Sequence, residues 1–350
     1  MRDVAVVGFA QAPQVRRTDG TTNGVEMLVP IFHEVFDKLG MTKSDIGFWC
    51  SGSSDYLAGR AFSFISAIDA IGPVPPIVES HVEADAAWAL YEAWVKIQTG
   101  EADTALVYGF GKSSAGNLRR TMALQLDPYV LAPLWPDSVG VAGLQARLGI
   151  DAGLWDERAM AEVAVRSRRD AETNRFAQLA GSKDVDELLA SPYLADPLRM
   201  HDCAPITDGA AVIVLAAGDR ARELVERPAW ITGIAHRVDS AHLGARDLTR
   251  SPSTAGAAQA AGIDGVEVAE LQTPFTHQEL LLRRELGLGA DVRITPSGGA
   301  LAGNPMFAAG LVRIGEAAAH IADGSAGRVL AHATSGPALQ QNLVCVMEGR

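Results

Sequence analysis

Apolar and polar positions fall into two repeating patterns along this chain. Short, largely apolar runs recur: VAVVGFA at 4–10, TALVYGFG at 104–111, AAVIVLA at 210–216 and RVLAHAT at 328–334. Runs of this length predict strands covered on both faces. Between them lie Ala-rich stretches, such as 83–98 and 309–322, that predict helices. The alternation predicts a layered α/β structure with a mostly parallel sheet.

The pattern also repeats within the chain. AWVKIQTGEADTALVYGFG (93–111) reads as a helix end, a Gly turn and a buried strand, and AAHIADGSAGRVLAHATSG (318–336) repeats that order with Gly324 as the turn. Upstream, LGMTKSDIGFWCSGSS (39–54) is matched by AAGIDGVEVAELQTPFT (260–276), and the opening strand has a weaker counterpart in AWITGIA (229–235). Two related halves, 1–227 and 228–350, are therefore expected around one shared crevice. The first half carries an insertion of roughly 116–195, with Pro128, Pro133, Pro136 and the charged helical stretch WDERAMAEVAVRSRRDAETN. A long insertion beside a crevice shapes a binding site or covers the core, and both remain open.

Composition narrows the function. The net charge of −12 and pI near 5.1 argue against nucleic acid, whose phosphates need a basic face. No apolar run approaches the length of a membrane span, so a cytoplasmic protein is expected. Cys50, Cys203 and Cys345 lie far apart, and no metal-ligand spacing or disulfide framework is indicated.

The richest segment is PSGGALAGNPMFAAG at 296–310. It resembles the thiolase active-site run GG…GHPxGAxG, but Asn304 stands where the histidine belongs and the spacing is one residue shorter. Further segments match in order. EADAAWALYEAWVKIQTG (83–100) resembles the nucleophile helix, and GFGKSS (109–114) the turn that follows it. DCAPITDGAAVIVLA (202–216) resembles the S/T-DGAAA strand, and PFTHQELLLRRELGL (274–288) the segment of the Asn-Glu pair. The chain is thus similar to the thiolase superfamily, specifically its sterol-carrier-protein-type and actinobacterial lipid-transfer branch. That resemblance implies a five-layered αβαβα thiolase fold and a dimer.

Residue by residue, the resemblance removes the usual chemistry. The nucleophilic Cys becomes Glu83, the GHP histidine becomes Asn304, and the Asn of the pair becomes Gln278, while Glu279 is kept. The C-terminal Cys or His position falls at Gln341, with Cys345 in the terminal strand. Thiolysis by a covalent Cys is not expected. Three readings stay open. In the first, the chain is a lyase that cleaves a β-hydroxyacyl-CoA of a lipid or steroid side chain by a retro-aldol reaction. Glu83 and His277 are then acid/base candidates, and Asn304 and Gln278 donors to the thioester oxygen. The branch's base tyrosines have no counterpart here, because Tyr occurs only at 56, 91, 108, 129 and 193. In the second, the chain is the non-catalytic partner of another thiolase-like subunit, with a small OB-fold, zinc-ribbon-like companion. In the third, it binds acyl-CoA without chemistry. Coenzyme A enters only as part of the substrate, with no tightly bound cofactor. Gly298, Gly299 and Gly336 are expected at close backbone approaches, and Arg246 and Ser251 in the polar loop 246–256 at CoA phosphates. Asp85 either pairs with His81 or caps the following helix, and a backbone partner is expected for His332.

Overall fold

A computed structural model describes residues 2–19, 23–55, 63–72 and 77–350. In chain order the first half contains β1 (Val4–Gln11), α1 (Gly24–Leu39), β2 (Phe48–Gly52), α2 (Ser63–Ile68), β3 (Glu79–Val82), α3 (Ala86–Gln98) and β4 (Thr104–Lys112). The insertion adds α4 (Leu118–Leu124), α5 (Ser138–Asp151), α6 (Glu157–Asp170), α7 (Val185–Leu189) and the small hairpin β5 (Tyr193–Ala195) and β6 (Leu198–Arg199). Then follow β7 (Asp208–Ala217), α8 (Gly218–Leu224), β8 (Ala229–Val238), α9 (Pro252–Ala261), β9 (Val268–Leu271), α10 (Thr276–Glu285) and β10 (Arg293–Ile294). The chain closes with α11 (Gly299–Ala302), α12 (Ala309–Ala322), β11 (Arg328–Ser335) and β12 (Gln341–Glu348).

The large strands form one ten-stranded sheet in the order β10-β9-β11-β12-β8-β1-β7-β4-β2-β3. Read outward from the β1–β8 junction, both sides have the same connectivity. That junction is thin, pairing only Ala5 with Trp230 and Val6 with Ala229. One core packs α3 and α12 between the two half-sheets. A second lies under α1, on the other face of β1, β2, β4 and β7. A third packs α9 and α10 on the outer face of the second half-sheet, with α5 of the insertion against them. The result is five layers with α3 and α12 in the middle.

The sheet is not mostly parallel. β7 runs antiparallel to β1 and β4, and β12 runs antiparallel to β8 and β11, while β2 and β9 pair in parallel with their neighbours. A continuous apolar run reports burial on two faces and is blind to the direction of the neighbouring strand. Local helix signals were plainer. Asn23 and Glu26 form a capping box at the start of α1, and Gly40 ends it at φ 62°. Its buried stripe of Met27, Leu28, Ile31, Phe32, Val35, Phe36 and Leu39 keeps helical spacing.

The second half is tied by a buried ion pair. Arg313 Nη1 of α12 donates to Glu270 Oε2 of β9 at 2.9 Å and to Ser297 Oγ at 2.5 Å. Ser297 returns its amide to Glu270 Oε1 at 3.0 Å. Arg313 and Glu270 are both essentially inaccessible. Removing one partner strands the other charge, so Arg313→Met is expected to cost about 3–5 kcal/mol in chemical denaturation. Arg222→Met, which breaks an exposed pair with Asp219, is expected to cost at most about 1 kcal/mol. Equal losses for the two would contradict this account.

Candidate active site

Two helices start at the same point. The carboxylate of Asp85 is the N-cap of α3, accepting from Ala87 N at 2.9 Å, and it also accepts from Gly310 N in the first turn of α12 at 3.0 Å. A single buried side chain therefore caps both central helices. Burial pushes its carboxyl up, against the pull of the Ala87, Gly310 and Leu311 amides. Gly310 is required by this contact, because a Cβ there would sit 2.5 Å from Asp85 Oδ1. The 304–308 loop is pinned next to the cap. Phe307 O accepts from Ala86 N at 2.9 Å, and Asn304 N donates to Thr207 Oγ1 at 2.9 Å. Gly111 of β4 leaves room for this loop, since a Cβ there would lie 2.3 Å from Met306 O.

The predicted site residues divide into two groups. Asn304 sits at this double helix start, half-buried, with its Oδ1 buried and without a hydrogen-bond partner. Glu83 precedes the cap and is not in the helix dipole's first turn. Its side chain is 53% exposed and turns to the backbone N of Asp55 at 3.0 Å and to His81 Nε2 at 3.6 Å. Asp85 takes the capping role, and His81 pairs with Glu83 and with Ser51 Oγ at 3.2 Å instead.

His277, Gln278 and Glu279 lie together in the first turn of α10, fully buried and not in a loop. Gln145 of α5 gathers two of them. Its Oε1 is 3.1 Å from His277 Nε2 and accepts from Gln278 Nε2 at 3.1 Å, while its own Nε2 donates to Leu248 O. With Nε2–H given to Gln145, Nδ1 of His277 is a buried lone pair without a partner. Glu279 forms a two-pronged ion pair with Arg166 of α6. These three residues lock the insertion onto the second half. Gly298 and Gly299 adopt φ of 89° and 65°, and Ser167 Oγ donates to Gly298 O at 2.5 Å, so the paired glycines meet α6 of the insertion.

Gly336 has φ 76° in the turn before β12. Arg246 spends its guanidinium on Pro337 O and Ala338 O, and Ser251 is fully buried, 2.7 Å from Thr254 Oγ1. His332 Nε2 lies 2.9 Å from Asn342 Oδ1, a side chain and not the expected backbone group. Gln341 opens β12. Tyr56 lies outside the described residues. Burial holds the Cys203 and Cys345 thiols near pKa 12 and pushes Cys50 up as well, so none supplies a thiolate near neutral pH. Gln145, Arg166, Thr207 and Ser51 went unnoticed in the sequence. Each is brought to the site by a partner distant along the chain.

No family model matches the chain. In sequence it is 26% identical over 354 residues, 90% of each chain, to an acetyl-CoA acetyltransferase of Methanothermobacter thermautotrophicus. It is 25% identical to human sterol carrier protein 2 over 69% of this chain and 52% of that protein. A shorter stretch of 79 residues, 22% of this chain and 20% of the other, is 37% identical to 17-hydroxy-3-oxo-4-pregnene-20-carboxyl-CoA lyase of Mycobacterium tuberculosis. Among solved structures, a Ltp2-ChsH2(DUF35) aldolase superposes with a TM-score of 0.79 at 18% identity, covering 99% of this chain and 98% of that one. Human mitochondrial 3-ketoacyl-CoA thiolase matches with a TM-score of 0.79 at 15% identity, over 100% and 99%. The chain has the thiolase fold, and its sequence is similar to an acetyl-CoA acetyltransferase and to sterol carrier protein 2 over most of its length. No helix among the described residues is long and apolar enough to cross a membrane.

The buried histidine makes a pH prediction. Burial lowers the His277 pKa from 6.5 to about 3, so the unfolded chain binds the extra proton first. Its contribution to stability is full above about pH 6.5 and is lost as pH falls toward 3. His277→Gln is expected to make the acid slope of unfolding free energy shallower by about 1.4 kcal/mol per pH unit between pH 6 and 4. Parallel slopes for the two proteins would contradict a buried neutral His277.

Proposed function

We propose that this chain acts on acyl-CoA thioesters of lipid or steroid side chains by retro-aldol cleavage of a β-hydroxyacyl-CoA. The observation that carries the reading is the doubly capped start of α3 and α12, kept intact while Glu83 and Asn304 stand at the positions that match the thiolase Cys and His. The lyase named among the relatives supports it. A base removes the β-hydroxyl proton, the α–β carbon bond breaks to leave a carbonyl compound, and the thioester enolate takes a proton at its α-carbon. We assign the base to Glu83 and the donor to the developing enolate oxygen to the Asn304 amide. His277, Gln278 and Glu279 act as positioning residues under the crevice. Gly298, Gly299 and Gly336 set its backbone, and Arg246, whose guanidinium holds the Pro337 and Ala338 carbonyls, is left out of the phosphate role. Ser251 is left out of that role because it presents nothing to solvent.

A second reading rests on one contact: Glu83 faces Asp55 and His81, and no hydrogen bond joins it to the 304–308 loop among the described residues. In that reading the chain shapes the pocket of a heteromer, as the two names in the aldolase match suggest. A homodimer, a second thiolase-like chain and a small OB-fold companion are the proposed arrangements. We also propose the division of the chain into halves at 227/228.

The test is turnover of a branched, preferably steroid, β-hydroxyacyl-CoA by the purified chain, followed by mass spectrometry. A ketone and a shortened acyl-CoA are expected, with Glu83→Gln and Asn304→Ala each lowering kcat/KM about 10²-fold or more. No product from folded protein, alone or with a partner, would overturn the lyase reading. Product that survives both substitutions would remove these residues from the site.

A further inference from the structure

We propose that Asp55, His81 and Glu83 form a binding site for a first-row divalent cation. One ligand atom from each side chain lies within 4.8 Å of the other two. Two donors bound to one ion at about 2.1 Å sit roughly 3–4.2 Å apart, so a small closure of three side chains completes the set. An imidazole and two carboxylates suit Zn²⁺, Co²⁺ or Mn²⁺, and three protein ligands leave a position open to water.

Two features outside the triad point the same way. His81 is oriented as metal-bound histidines are, with the second ring nitrogen engaged: Nδ1 lies 3.2 Å from Ser51 Oγ on the neighbouring strand, which leaves Nε2 toward Glu83. Its ring also stacks on Phe64 at 4.8 Å and 22°, which fixes its plane. The surrounding field is negative. Glu79, two residues earlier on β3, has its Oε1 buried without a hydrogen-bond partner. The partial positive charge at the start of α3 is met by Asp85, so Glu83 is not spent on the helix end.

Cation binding here holds whether or not the chain cleaves a carbon–carbon bond. Where the lyase reading also holds, the two connect: water on such an ion reaches a pKa near 7 and, in place of a free Glu83 carboxylate, takes the β-hydroxyl proton. Turnover would then require the metal.

The test is a Co²⁺ titration of the metal-free, untagged full-length chain, read by visible absorption. One saturable site per chain is expected. His81→Ala and Glu83→Gln should each weaken it at least tenfold, and Ser51→Ala about 10–100-fold. Asp219→Asn, at an exposed carboxylate on α8, should leave it unchanged. Pulsed EPR of Mn²⁺ bound to the unaltered chain needs no variant and should show coupling to one imidazole nitrogen. No saturable site in the unaltered chain would overturn the proposal. So would binding undiminished in both folded triad variants, or, if neither folds, a Mn²⁺ spectrum without nitrogen coupling. Binding with no turnover would leave the cation site standing and sink the lyase reading alone.

Discussion

The carboxylate of Asp85 is the constraint on which the centre of this molecule depends. It caps α3 and reaches across to the first turn of α12, so the middle layer is fixed at the point where the two helices begin. Each bond is from a backbone amide to a buried carboxyl oxygen. The 304–308 loop follows from it, since Ala86 N and Gly310 N place that loop from both sides. The unpartnered Oδ1 of Asn304 is therefore held in place by backbone contacts made elsewhere.

The double cap uses Asp85, two positions after Glu83. Glu83 is free to turn outward to Asp55 and His81 without disturbing either helix. Below the crevice, the Arg166–Glu279 pair and the Gln145 bridge join the insertion to α10 through buried polar contacts. Buried polar groups are costly unless matched, so these contacts fix the insertion against α10.

Much of the fold was legible because it is local. Gly100 and Gly324, which end corresponding helices at φ 79° and 78°, were visible as turns, and the strands that follow them read as apolar runs. Strand direction was not legible, because β7 and β12 are as apolar as parallel strands and owe their direction to tertiary pairing. The motif singled out Asn304, which the structure places at the double helix start, and Gly298 and Gly299, which take positive φ. The burial of His277 was not legible. The cause is Gln145, 132 residues away, whose amide satisfies it inside the core. Asp55 and Ser51 gave no sequence signal, since Ser51 meets His81 only through the β2–β3 register and Asp55 only through the fold.

The central claim is that the crevice holds an acyl-CoA without the covalent step of a thiolase. Mass spectrometry of the chain after incubation with a long-chain 3-ketoacyl-CoA, run under native and then denaturing conditions, tests it most directly. The account predicts one ligand per chain in the native spectrum and an unmodified chain mass after denaturation. An acyl adduct that survives denaturation, or a native spectrum with no ligand at all, would contradict it.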